Sequence, residues 1–264
     1  MASEHIVKSY DDELARLKKM ITEMGGQAES QLAAAIEAVV KRDTALAARV
    51  VEGDDEVDRL EREVDNLVVR ILALRQPMAR DLREIVAALK IASDLERICD
   101  YAANVAKRSI VLSQAPPIAP AFALPRMAHL AQMLVKDVID AYVARDADKA
   151  LAVWTRDEEL DEMYSSLFRE FLTYMMEDAR NIGIYTHLLF MAKNIERIGD
   201  HATNIAENLY FMVRGVPLDQ VRPKSDKSSL ELVRAGTIEL RQTEAFAPLY
   251  IRDRGHGAPT STEP

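Results

Sequence analysis

The chain has 264 residues, a formal charge of −9 and one cysteine, with 48% hydrophobic but only 6% aromatic residues. An acidic balance of this kind excludes a nucleic-acid backbone as main partner, since phosphates demand a basic face, and a lone cysteine excludes an internal disulfide framework. No apolar run reaches the ~18 residues needed to span a bilayer and no signal peptide opens the chain, so the expected location is the cytoplasm, with any membrane association made through a protein partner.

Few glycines and clustered prolines mark the elements. Residues 1–76 contain no proline and read as helices over about 5–42 and 44–74. Pro77 suits the first turn of a third helix over about 78–113, where its missing N–H costs little. The segment "SQAPPIAPAFALP" (113–125) holds four prolines, which cannot sit in a helix interior, and reads as a linker over 115–124. A second proline-free set then carries helices over about 125–145, 147–180 and 184–213, with Gly183 at the corner and Gly215-Val216-Pro217 as the stop. The expected fold is all-α: two tandem three-helix bundles, 1–114 and 125–216. The tail, 217–264, carries seven basic and seven acidic residues, so the whole acidic excess lies in the bundles. Its low apolar content predicts disorder, apart from residues 230–240, which are compatible with a short helix.

The two sets are copies. "DLERICDYAANVA" (94–106) and "NIERIGDHATNIA" (194–206) keep Glu, Arg, Ile, Asp, Ala, Asn and Ala in register at an offset of 100. The apolar seam Ile91, Leu95, Ile98, Ala102 and Val105 returns as Met191, Ile195, Ile198, Ala202 and Ile205. Upstream, "EAVVKRD" (37–43) echoes "DAYVARD" (140–146), and "DDEVD" (54–58) echoes "DEELD" (157–161), both at an offset of 103. A period near one hundred exceeds solenoid units of ~20–50 residues and points to a duplicated domain.

Within the copies four acidic pairs share a spacing of four: Asp54 with Asp58, Glu96 with Asp100, Asp157 with Asp161, Glu196 with Asp200. On a helix each pair shares one face, one turn apart, at a cost of roughly 0.2–0.5 kcal/mol. Glu96, Asp100 and Asn104 lie opposite the apolar seam at 100° per residue, which places them outside the core. One pair falls on the second helix and one on the third helix of each half, so antiparallel neighbours would converge four carboxylates. Two readings stand: a solvated acidic face, or oxygen ligands for a hard or borderline cation. Arg97 and Arg197 pair most simply with these acids; phosphate contact is their alternative role. His201 reads as a surface histidine within reach of a metal's edge, and Cys99, aligned with Gly199, as a small filler. No Gly-rich phosphate loop, nucleophile elbow or paired-cysteine pattern occurs, and no histidine has a glutamate three residues before it, as di-iron bundles require.

The stretch "RQPMARDLREIVAALKIASDLERICDYAANVAKR" (75–108), together with "AKNIERIGDHATNIAEN" (192–208), resembles the PhoU family of bacterial phosphate-signalling regulators. The resemblance runs from about residue 5 to 214, duplicated as that family is. It implies two three-helix bundles that hold metal clusters outside, with Asp54, Asp58, Glu96, Asp100, Asp157, Asp161, Glu196 and Asp200 as ligands and Asn104 and Asn204 as secondary ones. Iron, zinc, manganese or magnesium are the expected ions. It further implies a homodimeric adaptor, not an enzyme, joining the phosphate ABC transporter to its sensor histidine kinase and repressing the starvation response when phosphate is plentiful. The alternative is a carboxylate-bridged metalloenzyme or metal-storage protein, which would need an open coordination site and, for hydrolysis, a positioned base.

Overall fold

The protein is described by a computed structural model over residues 2–115, 123–218, 238–241 and 250–253, with side chains considered from Tyr10 to Ala115 and from Leu124 to Leu218. Most of the expected linker and most of the tail lie outside the described residues. Seven α-helices follow in order: α1 (Ala2–Lys41), α2 (Thr44–Glu52), α3 (Asp54–Arg75), α4 (Ala79–Leu112), α5 (Ala123–Ala144), α6 (Ala147–Glu177) and α7 (Ile182–Arg214), with a 3₁₀ turn, Ala179–Asn181, before the last. Two short strands, β1 (Ile238–Arg241) and β2 (Tyr250–Asp253), pair antiparallel with Ile238 opposite Asp253. Residues 238–240 are therefore extended, not the end of a short helix. Met1–Pro223 forms one compact unit, and Lys224–Pro264, which holds the strand pair, forms a second.

The helix corners explain why the sequence repeats "KRD" and "ARD". Arg42 and Arg145 both sit in the left-handed region, at φ 55° and 54°. At each, two backbone bonds close the helix end: Asp43 N to Ala38 O and Asp146 N to Ala141 O at 3.0 Å, Arg42 N to Val39 O at 3.4 Å and Arg145 N to Tyr142 O at 3.2 Å. This is the Schellman closure, which usually puts glycine in the left-handed position. The next residue starts the following helix: Asp43 accepts from Leu46 N at 2.9 Å, and Asp146 accepts from Asp148 N and Lys149 N at 3.0 Å. An arginine at such a φ costs of order 1–3 kcal/mol, so its side chain must do something glycine cannot.

One expected helix is broken. Residues 44–75 form α2 and α3, divided at Gly53, whereas the equivalent α6 is continuous. Glycine weakens a helix interior by roughly 1 kcal/mol, and Gln31 Nε2 takes the Gly53 carbonyl at 3.0 Å. Asp54, Asp55 and Glu56 then favour a fresh N-terminus through the helix dipole. The N-terminal start of α4 also comes later than Pro77 suggests, with Met78 as the residue before the helix and no side-chain cap.

The core is continuous across the repeat boundary. α4 packs on α1, α2, α3 and α7, while α7 packs on α4, α5 and α6, and the α4–α7 interface is as extensive as those within each half. Small residues make that burial possible: Ala87, Ala88, Ala92, Ala102, Ala103 and Ala106 on α4 are all buried. The first helix of one half also meets the first helix of the other, since α1 packs on α5. There Gly25 faces Ile139 so closely that a Cβ would stand 2.9 Å from two of its carbons, while a Cβ on Gly26 would meet nothing within 4 Å.

These neighbouring glycines give opposite expectations. Gly26→Ala should raise stability by roughly 0.5–1 kcal/mol through lower chain entropy. Gly25→Ala should lower it by about 1–3 kcal/mol through overpacking against α5. Urea unfolding of the two variants checks this, and equal gains at both positions would show that α1 and α5 do not meet as described.

Candidate functional site

In the first half the four expected acids come near enough to feel one another's charge. α3 begins at Asp54, so Asp54 and Asp58 occupy its first turns, and they act electrostatically with Asp100 and Glu96 on α4. Asp54 is pushed up to about 6, first by burial, then by the charges of Asp100 and Asp58. Glu96 is pushed up to about 7, again by burial first and then by Asp100. Cys99 lies buried beneath, its thiol raised by burial and by the same four acids, which agrees with a filler role. Arg97 partly neutralises the group, standing 3.4 Å from Glu96 and 3.1 Å from Asp100. Lys107 acts on Asp54 in the same sense.

In the second half the α6 acids lie deeper than their α3 counterparts. Asp157 is 1% exposed and Asp161 8%. The reason lies at residue 199. A Cβ there would stand 2.4 Å from Leu160 Cδ2 and 2.5 Å from Asp157 Oδ1. Glycine lets α6 settle onto α7 and carries Asp157 down with it. In the first half Val57 replaces Leu160 and Cys99 replaces Gly199, so the shorter side chain on one helix accommodates the larger one on the other. Glu196, raised mainly by burial, is held by Lys193 at 2.7 Å, with Asp200 opposing.

The other expected residues divide. Asn204 donates to Asp94 at 3.4 Å, so it is turned to α4, and Asn104 is half-buried at the matching place. His201 is not a surface residue at a metal's edge: its Nδ1 stands 2.8 Å from Asp94 Oδ1, and its ring lies 5.6 Å from that of Tyr101. Arg197 reaches the hydroxyl of Tyr101 at 3.4 Å while still feeling the charges of Glu196 and Asp200. With Arg108 over Phe190 at 4.2 Å, these pairs rise along α4 as they descend along α7, so the two helices run antiparallel. Sequence spacing carried no sign of this, because the signal is a contact between copies.

The donor set fits a hard cation: all-oxygen, four carboxylates per half, and in the first half mutually repelling. Asp54 Oδ1 is also buried without a hydrogen bond. As the side chains stand, however, no group of three or more Asp, Glu, His or Cys among the described residues is gathered closely enough to hold one ion. Binding would draw Glu96 and Asp100 away from Arg97 and inward toward Asp54 and Asp58.

The PhoU domain family matches the chain twice, over residues 21–109 and 124–209. The phosphate-specific transport system accessory protein PhoU homolog of Caulobacter vibrioides is 53% identical over 225 residues, 85% of this chain and 98% of that one. Its counterpart from Rhizobium meliloti is 49% identical over 230 residues, 87% and 97% of the two chains. The crystal structure of PhoU from Pseudomonas aeruginosa superposes with a TM-score of 0.77 at 39% identity, over 78% of this chain and all of that one. The phosphate transport system regulatory protein PhoU from Streptococcus pneumoniae gives 0.74 at 26% identity, over 80% and 100%.

The raised acids set a pH dependence in the metal-free protein. Asp54 and Glu96 bind protons more tightly folded than unfolded, between 3.8 and about 6 and between 4.5 and about 7. The folded state therefore holds more protons in that window, and stability falls as pH rises through it. Urea midpoints in chelator should decline from about pH 4.5 to 7.5, and Asp54→Asn with Glu96→Gln should flatten the decline. A midpoint that climbs across the window in the unaltered chain would show that the acids are not crowded.

Proposed function

The chain belongs to the PhoU family, and on that premise we propose that it is the accessory regulator of a phosphate-specific transport system, a signalling adaptor and not an enzyme. The observation that carries this is the match of both halves to the family domain, with relatives named as accessory proteins covered almost end to end. In this reading the chain links the transporter to a sensor histidine kinase and represses the starvation response when phosphate is plentiful. It works at the inner membrane face as a homodimer, from a cytoplasmic pool.

The architecture supports an adaptor. No helix among the described residues is long and apolar enough to cross a membrane, and an acidic chain is repelled by anionic lipid. Membrane association then falls to protein contact. Large apolar side chains are exposed beside both helix-hairpin ends: Val69, Leu72, Leu74 and Met78 at the α3–α4 corner, Phe168, Leu172, Met176 and Ile182 at the α6–α7 corner. Exposed apolar groups gathered in this way suit docking against another protein.

Cation binding belongs to the same proposal. The ions would be divalent or trivalent, held by Asp54, Asp58, Glu96 and Asp100 in one half and Asp157, Asp161, Glu196 and Asp200 in the other. They would neutralise each acidic crevice and tie α3 to α4 and α6 to α7. The support is the crowding of like charges in the first crevice and the burial of Asp157 and Asp161.

Two measurements test these readings. Deleting the gene in its host should raise phosphatase expression and phosphate uptake in phosphate-rich medium, and unchanged levels of both would remove the regulatory reading. For the ions, melting in chelator and with added metal should differ in the unaltered chain. A ligand at ~100 times its dissociation constant adds about 2.7 kcal/mol. Asp58→Asn with Asp100→Asn should narrow that difference; an undiminished gap would move the ions elsewhere.

A further inference from the structure

The sequence motif "RQPMARDLR" (75–83) places three arginines where the α3–α4 corner turns. Arg75 has a structural partner, Glu13, at 2.9 Å. Arg80 and Arg83 have none among the described residues. Three residues apart, they share one face of the first turn of α4 with Glu84. A cavity of about 160 Å³ opens there, lined by Arg80, Arg83, Glu84, Arg145, Met212 and Val213. Three positive charges thus face one negative charge. That one is already taken, because Arg145 pairs with Glu84, which is 9% exposed. Arg83 Nε is buried and makes no hydrogen bond.

A structural account competes. Arg83 stands beside the C-terminal end of α7, 3.4–3.6 Å from where a Cβ on Gly215 would be, and a helix C-terminus attracts cations. The repeat supplies the comparison. The matching place in the other half would be lined by Arg180, Gly183, Ile184, Arg42, Leu112 and Ser113. There the helix end is capped by actual bonds: Arg42 donates to the carbonyls of Leu112 at 2.9 Å and Ser113 at 2.8 Å, and to that of Ala115. Arg180 is taken by Asp178 at 2.9 Å, and nothing corresponds to Arg83 or Glu84. Capping a helix end therefore needs one corner arginine. In the second place the corner arginine is diverted to a buried glutamate, and two more arginines are added that have no bonded partner among the described residues. A guanidinium with shielded, unused donors in a positive cavity lacks an acceptor.

The geometry points to a binding site for a small tetrahedral oxoanion, inorganic phosphate, in the cavity formed by Arg80, Arg83 and Arg145 between the N-terminus of α4 and the C-terminus of α7. A cavity of this size suits a small oxoanion that keeps part of its hydration shell. Arg80 and Arg83 come from the first repeat and Arg145 from the second, so an occupant would join the two copies. The site is separate from the acidic crevices, and a purified chain binds the anion or fails to whatever its partners are.

The test is calorimetric titration of the full chain, stripped of metal by chelator, with inorganic phosphate at constant ionic strength. One saturable site per chain is expected. Arg80→Gln with Arg83→Gln should weaken it at least tenfold, and Glu84→Gln, which releases Arg145, should tighten it. Because Arg80 is exposed, Arg80→Gln alone decides the matter if the double variant does not fold. Absence of a saturable site, or equal affinity in the unaltered and Arg80→Gln chains, overturns the proposal. Adenosine monophosphate is the second arm: binding as tight as phosphate would make the cavity part of a nucleotide site and refute a free anion. In the third arm, Asp58→Asn with Asp100→Asn should leave phosphate affinity unchanged, and its loss there would move the anion to the acidic crevice.

Discussion

Everything in this fold depends on α4 and α7 being buried against each other. Each is enclosed by its own repeat's helices on one side and by the other copy on the other, and a helix in that position cannot carry bulky residues all round. Alanines at 87, 88, 92, 102, 103 and 106 of α4 answer this, and Gly199 does the same for α7. Burial of apolar surface at roughly 25 cal/mol per Å² then favours one continuous core over two. Two groups of polar residues on the central pair follow from this. One lies in the seam between copies, where Asp94 meets His201 and Asn204. The other lies toward α3 and α6, where the acids collect.

The crevices hold like charges against their preference. The penalty for one exposed pair is small, but partial burial makes each charge harder to solvate, and the Asp54 and Glu96 shifts record that cost. The two crevices have diverged. The first keeps a cysteine, a valine and an arginine clamp on its acids. The second keeps a glycine and a leucine, so its acids sit deeper and Lys193 holds Glu196. Duplicated sites can thus differ in depth and charge while retaining every carboxylate.

The arginine corners show the same divergence from one backbone device. Arg42 and Arg145 occupy left-handed positions that glycine would fill at less cost. Arg42 uses its side chain to satisfy the end of α4, while Arg145 neutralises Glu84 on the opposite copy. A residue that is locally unfavourable in both copies is retained where its side chain reaches across to another element.

Much of this was legible in the sequence. Proline-free stretches and a 3–4 spaced apolar seam determined the helices and the duplication, because these depend on local rules that act within a few residues. The "KRD" and "ARD" echoes marked the corners, and the four acidic pairs marked the crevices, since spacing of four fixes a shared face. The break at Gly53 was written locally too, but it needed Gln31 to donate to a carbonyl 22 residues away. What only the tertiary structure decided is which faces meet across the duplication. Opposition to the apolar seam placed Glu96 and Asp100 outside the core, where they are half-buried, but nothing in the spacing of Asp157 and Asp161 announced that they follow Gly199 inward. His201 and Asn204 looked like surface or ligand residues until the other copy supplied Asp94, and nothing local announced the contact of Arg197 with Tyr101. The arginine cavity likewise gathers residues 80, 83, 84, 145, 212 and 213. Periodicity reports a side chain's direction from its own helix axis, and only packing determines what waits there.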